Sequence, residues 1–269
     1  MSQLQPTTKE FLASSDDAVE KAFFSRVFVP NRSVKTTYAK RLDDLNAVAF
    51  RHIAKINESP VKIMDVGMSS GISTAEWRDQ LAAQQIDFDL TGTDLTIDAL
   101  LYSYSNYGML FDRKGNLLHF DLWGKGWPPH QRGIKFHYLR QLVTSSVFRC
   151  ASAFGGKIET TPVKLLSRGF SDNGRCRAVE DDLAQANPPA FQRAFHVIRA
   201  ANILNLAYFA ESTLRTMLNT LKERLKDGGL LLVCRTDGAT NNGTVFQLSS
   251  SRLVAVDRIG AGSEIEPLV

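Results

Sequence analysis

The stretch VKIMDVGMSSGISTAEW, residues 61–77, constrains this chain more than any other: an unbroken apolar run passes through Asp65 into glycines and serines, then into a helix-forming segment. A short apolar run bounded by glycine fits a strand buried on both faces. Residues 74–83 read as a helix and FDLTGTDL as a second strand. Strand, helix and strand at this spacing imply a right-handed crossover and therefore a parallel sheet. The turn after the first strand then falls at the carboxyl edge, where open α/β sheets bind ligands. Gly67 and Gly71 let backbone approach a ligand closely, and the amides opening the helix face a negatively charged group. Ser69 stands between them where a middle glycine would be expected, so a strand ending in a plain loop is the competing reading.

The alternation continues with CRAVEDDL, then AFHVIRAANIL, a helix over 211–226 and GGLLLVCRT, with Asp227-Gly228-Gly229 read as the stop of that helix. GTVFQLSS and SRLVAVDRIG read as an antiparallel hairpin at the sheet edge. Before residue 60 the apolar residues recur three and four apart, as in helices, with Ser15 and Ser33 as caps. These helices form an N-terminal cap over residues 1–60, ahead of a main domain at 61–269. An insert at about 101–175 interrupts that domain. It holds a hairpin turning at Gly115 and Asn116, then a helix with Phe136, Leu139, Val143, Val147, Ala151 and Phe154 on one face.

With 43% hydrophobic and 22% charged residues the chain is ordinary globular material, not a disordered one. No run of eighteen apolar residues occurs, and the N-terminus lacks a charged start followed by an apolar core, which predicts a cytoplasmic protein that does not span a membrane. Cys150, Cys176 and Cys234 are odd in number and share no metal-ligand spacing with the five histidines, so free thiols and no metal are expected. Charge is uneven. Residues 125–177 carry ten lysines and arginines against Glu159 and Asp172, a net of +8 within a total of +4. That segment is either a solvated basic surface or one that attracts anions.

Two acidic positions extend the opening pattern. Asp94 ends the second strand, 27 residues after Gly67, where a carboxylate can accept both hydroxyl hydrogens of a ribose. Asp181-Asp182-Leu183 ends the third, offering a carboxylate and an apolar side chain to an adenine. Each aspartate has a plainer reading as a helix cap.

Together these residues resemble the class I S-adenosylmethionine-dependent methyltransferases. DVGMSSG is similar to that family's first motif through Asp65, Gly67 and Gly71, with Ser69 in place of the central glycine. TGTDLT looks like its second motif through Asp94, and VEDDL like its third through Asp182 and Leu183. FHVIRAANILNLAYF and LKERLKDGGLLLV look like its fourth strand and glycine-led fifth, so the likeness covers about residues 62–256. It is nearest to the branch of chemotaxis-receptor glutamate methyltransferases, which tolerates serine in the first motif and carries an asparagine at the place of Asn202. The resemblance implies an α/β, Rossmann-like, doubly wound and mostly parallel seven-stranded sheet with an antiparallel edge strand, N-terminal helices and an inserted hairpin-plus-helix lid. It implies S-adenosylmethionine as cofactor, held by Asp65, Gly67, Met68, Ser69, Gly71, Asp94, Leu95, Asp182 and Leu183. The insert matches nothing in that branch, so its protein substrate does not carry over.

Methyl transfer is an in-line displacement at a sulfonium carbon and depends chiefly on alignment and exclusion of water. Asn202, Asn205 and Tyr208, just past the fourth strand, are the substrate-side candidates, with capping and packing as their plainer roles. His119, His130 and His137 are base candidates in the insert, and Tyr102, Tyr104, Tyr107, Trp123 and Trp127 either wall an acceptor pocket or pack the insert. The basic segment favours an anionic small-molecule acceptor, leaving a protein carboxylate, a lipid surface or RNA as alternatives. A non-catalytic partner protein of the same fold is the reading from another class.

Overall fold

Thr7 starts the first helix, accepting from the Glu10 N–H while the Glu10 carboxylate accepts from the Thr7 N–H, a reciprocal cap. The computed structural model describes residues 4–29, 34–35, 38–129, 136–238 and 240–269, apart from the side chains of Phe136 and His137. Ser33 and His130 therefore lie outside the described residues, as does the side chain of His137. In chain order the elements are α1 (Thr8–Ala13), α2 (Asp17–Phe24), α3 (Asp43–Ile53), β1 (Val61–Val66), α4 (Ile72–Ala83) and β2 (Phe88–Asp94). Next come β3 (Asp98–Tyr104), β4 (Tyr107–Asp112), β5 (Leu117–Leu122), β6 (Lys125–Trp127), α5 (Phe136–Ala153) and β7 (Glu159–Lys164). The chain closes with β8 (Cys176–Glu180), β9 (Phe195–Ala201), α6 (Glu211–Arg224), β10 (Leu225–Asp237), β11 (Thr240–Ser249) and β12 (Arg252–Ile259). Asp16, not Ser15, caps α2, because its carboxylate reaches the Ala18 N–H at 2.8 Å and also meets the helix dipole with a negative charge.

The chain divides into two units, Met1–Thr37 with Thr96–Ser167 and Tyr38–Leu95 with Arg168–Val269. In this division α1 and α2 belong with the inserted segment, and α3 belongs with the larger sheet.

The larger unit is built on a seven-stranded sheet of order β12-β11-β10-β9-β1-β2-β8. Strands β8, β2, β1, β9 and β10 run parallel, as the crossover argument requires. The antiparallel strand is β11, one place in from the edge. Edge strand β12 pairs antiparallel with β11 and so runs with the rest. Short connections explain the difference from the expected antiparallel edge: two successive tight turns, the second through left-handed Ser250 and Ser251, reverse the chain twice. Crossover helices are also fewer than in a full doubly wound sheet. Helix α4 joins β1 to β2 and α6 joins β9 to β10, whereas only the short turn Pro189–Phe191 lies between β8 and β9. Helix α6 stops at Arg224 because Leu225 is already extended and paired with Phe195. Asp227-Gly228-Gly229 is therefore a bulge inside β10, with Gly228 at φ +78°, and not a helix stop.

Side chains alternate across this sheet. Met64, Val66, Ile198, Ala200, Leu231 and Val233 pack against Leu214, Met217, Leu218 and Leu221 of α6. On the opposite face a pair of charges is buried: Asp65 and Arg199 lie directly opposite each other in β1 and β9. The Arg199 guanidinium donates to both Asp65 oxygens at 2.8 and 2.6 Å, to the Asn46 side chain of α3 at 2.6 Å and to the Ser73 carbonyl at 3.1 Å. It also stacks 4.1 Å from the ring of Trp77 in α4.

The smaller unit is an antiparallel sheet of order β6-β5-β4-β3-β7. Phe11, Phe23, Phe24 and Val27 from the N-terminal segment pack on Ala99, Leu101, Leu110, Leu118, Val163 and Leu165. A second cluster, Met109, Phe120 and Leu122, takes Val143 and Phe148 of α5. The hairpin predicted at Gly115 is present, with Gly115 at φ +83°. Strands β3, β6 and β7 were not expected from the sequence.

Two measurements test this packing. Arg199→Met leaves Asp65 buried and unpaired, and urea denaturation is expected to show a loss of about 3–5 kcal/mol, part of it recovered when Asp65→Asn is added. Burial pushes the Cys176 and Cys234 thiols up to about 11 and about 12, whereas Cys150 is exposed. A thiol reagent added to the native protein is expected to modify Cys150 alone, and the other two only in denaturant.

Candidate functional site

Strand β1 lies between β2 on one side and β9 on the other, so the chain reverses its direction of travel across the sheet there. The crevice outside the carboxyl ends of such strands is the ligand position of open α/β folds. The turn that follows β1 occupies it. Gly67, Ser69 and Gly71 all adopt left-handed backbone, at φ +68°, +59° and +86°. Ser69 thus takes the conformation that a glycine would take, at a strain of about 1–2 kcal/mol. The strain is met by a specific contact: the Ser69 N–H donates to the Asp94 carboxylate at 2.7 Å, while the Met68 N–H donates to the Thr93 carbonyl at 2.9 Å. The first motif and the end of β2 are thereby locked together.

Glycine is required at 67 and 71 by space as well as by φ. A Cβ on Gly67 would lie 2.0 Å from Ile203 Cδ1, and one on Gly71 would lie 2.8 Å from Met68 Cε. Met68 is itself buried, its sulfur filling the space beside Gly92. Gly71 caps α4, whose first turn is completed by the Ala75 N–H on the Gly71 carbonyl. The hydroxyls of Ser69 and Ser70 are both buried and make no hydrogen bond among the described residues.

The remaining predicted residues divide. Leu95 is exposed beside Asp94. Asp65 is 3% exposed and its two oxygens are taken by Arg199 and by the Thr74 hydroxyl at 2.6 Å, so it shapes the turn from below and does not face the crevice. Asp182 accepts from the Ala184 N–H at 3.0 Å, the plainer capping role. Leu183 is buried in the α6 cluster. Asp181, its neighbour, is held by a fully buried Arg224 through two bonds of 2.7 and 3.0 Å, and its N–H donates to the Asp94 carbonyl at 2.9 Å.

Asn202 is left-handed at φ +61° and its amide is engaged by Thr236, giving to the hydroxyl at 3.1 Å and accepting from the N–H at 2.7 Å. Asn205 is buried and accepts from the Ala207 N–H at 2.7 Å. Tyr208 is 75% exposed. In the smaller unit His119 is fully buried, 3.2 Å from Asp121 and packed on Phe23. Trp127 is covered by the Arg140 guanidinium at 3.8 Å, Tyr102 packs edge-on to Phe111, and Trp123 is exposed. Among the described residues no group of three or more His, Cys, Asp or Glu is placed to hold a metal.

Sequence reasoning passed over Arg199, Arg224 and Ile203. A signal for Arg199 existed: a single charge inside AFHVIRAANIL has to find an opposite charge in the neighbouring buried strand, and VKIMDV offers Asp65.

Ser69→Val tests the left-handed turn, since a β-branched side chain resists that backbone. Thermal melts are expected to show about 1–2 kcal/mol of destabilisation for Ser69→Val and a change within about 1 kcal/mol for Ser69→Gly.

No family model and no curated protein matches the chain. Solved structures share parts of its backbone. The citrinin polyketide synthase CMeT domain is 11% identical at a TM-score of 0.41, over 83% of this chain and 41% of that one. The N-methyltransferase NodS from Bradyrhizobium japonicum WM9, in complex with S-adenosyl-L-homocysteine, is 12% identical at 0.34, over 72% and 62%. An S-adenosylmethionine-dependent methyltransferase from Clostridium acetobutylicum is 11% identical at 0.35, over 87% and 79%. The chain spans less than half the length of the polyketide synthase domain and of the carbon methyltransferases CurJ and DszA. Nothing among these supports the likeness to the chemotaxis-receptor branch.

Proposed function

We propose that the larger unit binds S-adenosylmethionine at the carboxyl edge of its sheet and that the protein methylates an unidentified, anionic small molecule. One observation carries this reading: the left-handed trio Gly67, Ser69 and Gly71, tied through the Ser69 N–H to Asp94. The sequence likeness supplies the identity of the ligand, and the donor set is compatible with part of it. This reading assigns Asp94, at the end of β2, to the ribose and Leu95, exposed beside it, to the base; the hydroxyls of Ser69 and Ser70 are buried and would have to be uncovered to reach the methionine end. Leu183 and Asp65 do not fit as contacts, since one is core and the other is engaged by Arg199 and Thr74.

When bound, S-adenosylmethionine supplies an electrophilic methyl group. The chain's own residues bind and orient: the amides of Met68, Ser69 and Gly71 are spent on holding the turn in shape, Asp94 accepts from hydroxyls, and Ile203 packs against Gly67. Asn202 and Asn205 are neutral amides committed to backbone or threonine partners, so neither removes a proton. An acceptor that arrives as a carboxylate or thiolate needs no base, which agrees with the basic segment 125–177. A protein carboxylate, a lipid headgroup or RNA would draw on the same charge. The committed asparagines also favour a second reading, a partner protein that binds the cofactor without transferring from it.

Calorimetry separates these readings. Wild type is expected to bind S-adenosylmethionine with Kd of about 1–100 μM, and Asp94→Asn, which keeps an acceptor for the Ser69 N–H, to bind about tenfold or more weakly at an unchanged melting temperature. Absence of binding to wild type would falsify both readings. Binding with no product heavier by one CH₂ group, sought by mass spectrometry in a lysate, would leave the non-catalytic one.

A further inference from the structure

Helix α5 leaves large apolar side chains outside. Tyr138, Leu139, Leu142 and Phe154 are 67%, 55%, 62% and 88% exposed, while Thr144 and Ala151 on the opposite side are buried. At 100° per residue the first three fall on one face with Ser146, Arg149 and Cys150, a face that is apolar and small except for one cation. Beside them a groove of about 590 Å³ is lined by Leu139, Leu142, Val147, Cys150 and Phe154. Contiguous apolar exposure of this kind marks an interaction surface.

Charge identifies the occupant. Between Asp121 and Glu159 there is no aspartate or glutamate, while six cations occur: Lys125, Arg132, Lys135, Arg140, Arg149 and Lys157. Arg149, on the apolar face, and Lys157, four residues past the end of the helix, are exposed. A second copy docked two-fold on this face would bring Arg149 against a helix that itself carries no aspartate or glutamate. An anionic bilayer meets both properties, because its headgroups pair with the cations and its acyl boundary takes the apolar side chains. No described helix is long and apolar enough to cross a membrane, so the helix would lie in the plane of the surface. We propose that α5 is a membrane-surface helix that docks the protein onto anionic lipid, with Tyr138, Leu139, Leu142 and Phe154 entering the headgroup boundary. This inference does not rest on methyl transfer.

The test is flotation of the full chain with vesicles of phosphatidylcholine alone or with phosphatidylserine added. Wild type is expected to float with the anionic vesicles only and to be released by salt. Leu142→Glu and Phe154→Glu, both at exposed positions, are expected to reduce the bound fraction about tenfold at unchanged circular dichroism. A readout that needs no variant is the alkylation of Cys150, which lines the groove and is expected to slow about tenfold when anionic vesicles are added. The proposal is overturned if wild type fails to float or if both glutamate variants float equally well. It is also overturned if Cys150 alkylation is unaffected by vesicles, or if the variants turn a dimer into a monomer without changing vesicle binding.

Discussion

The larger unit depends on one buried ion pair. Arg199 and Asp65 sit on adjacent strands with 0% and 5% of their side chains exposed, and removing two charges from water costs several kcal/mol per ion unless every donor is placed. Here the guanidinium gives to Asp65, Asn46 and Ser73 and lies on the Trp77 ring, so β1, β9, α3 and α4 all converge on one side chain. Such a pair adds little net stability over apolar packing, but it permits a single register of β1 against β9. Register is what the site needs. Asp65 lies two residues before Gly67, so fixing its carboxylate fixes where the chain enters the left-handed turn.

A second buried arginine does the same on the far side. Arg224 at the end of α6 holds Asp181 and also Asn187, and Asp181 in turn holds the backbone of Asp94 through its N–H. Asp94 is therefore positioned from two directions, by the Ser69 amide and through the strand end stabilised by Arg224. All three carboxylates that the sequence offered as ligand contacts have structural partners: Asp65 is engaged by Arg199 and Thr74, Asp182 by the Ala184 N–H, and Asp94, at the end of β2, by the Ser69 N–H.

Much of the larger unit was legible because its strands are short, apolar and punctuated by Gly or Asp, a pattern set by local burial. The left-handed role of Ser69 was legible only as a question, since a serine in that conformation depends on the Asp94 carboxylate 25 residues away. The smaller unit was read as a hairpin and a helix because its other strands carry no local signal. Strand β7, ETTPVK, is exposed at every position but Val163, so neither alternation nor an apolar run announces it. Strand β3 owes its place to antiparallel partners on both sides, β4 and β7, which no window of sequence contains. The engagement of Asn202 was not legible, because Thr236 lies on a strand 34 residues further on, whereas Asn205 is engaged locally by the Ala207 N–H.

The N-terminal helices are closed onto the smaller sheet by contacts of long range: the Thr8 N–H donates to the Asp121 carboxylate across 113 residues of chain, and Phe11 and Phe23 stack at 4.1 Å within the same cluster. During synthesis the aromatic face of α1 and α2 is made first and its sheet is made only after β1, α4 and β2 have emerged. At about 5–20 residues per second that interval lasts several seconds or more, during which three phenylalanines have no native partner surface. Order of synthesis and order of packing are opposed here, so the aromatic face of α1 and α2 lacks its native cover until residue 165 has left the ribosome.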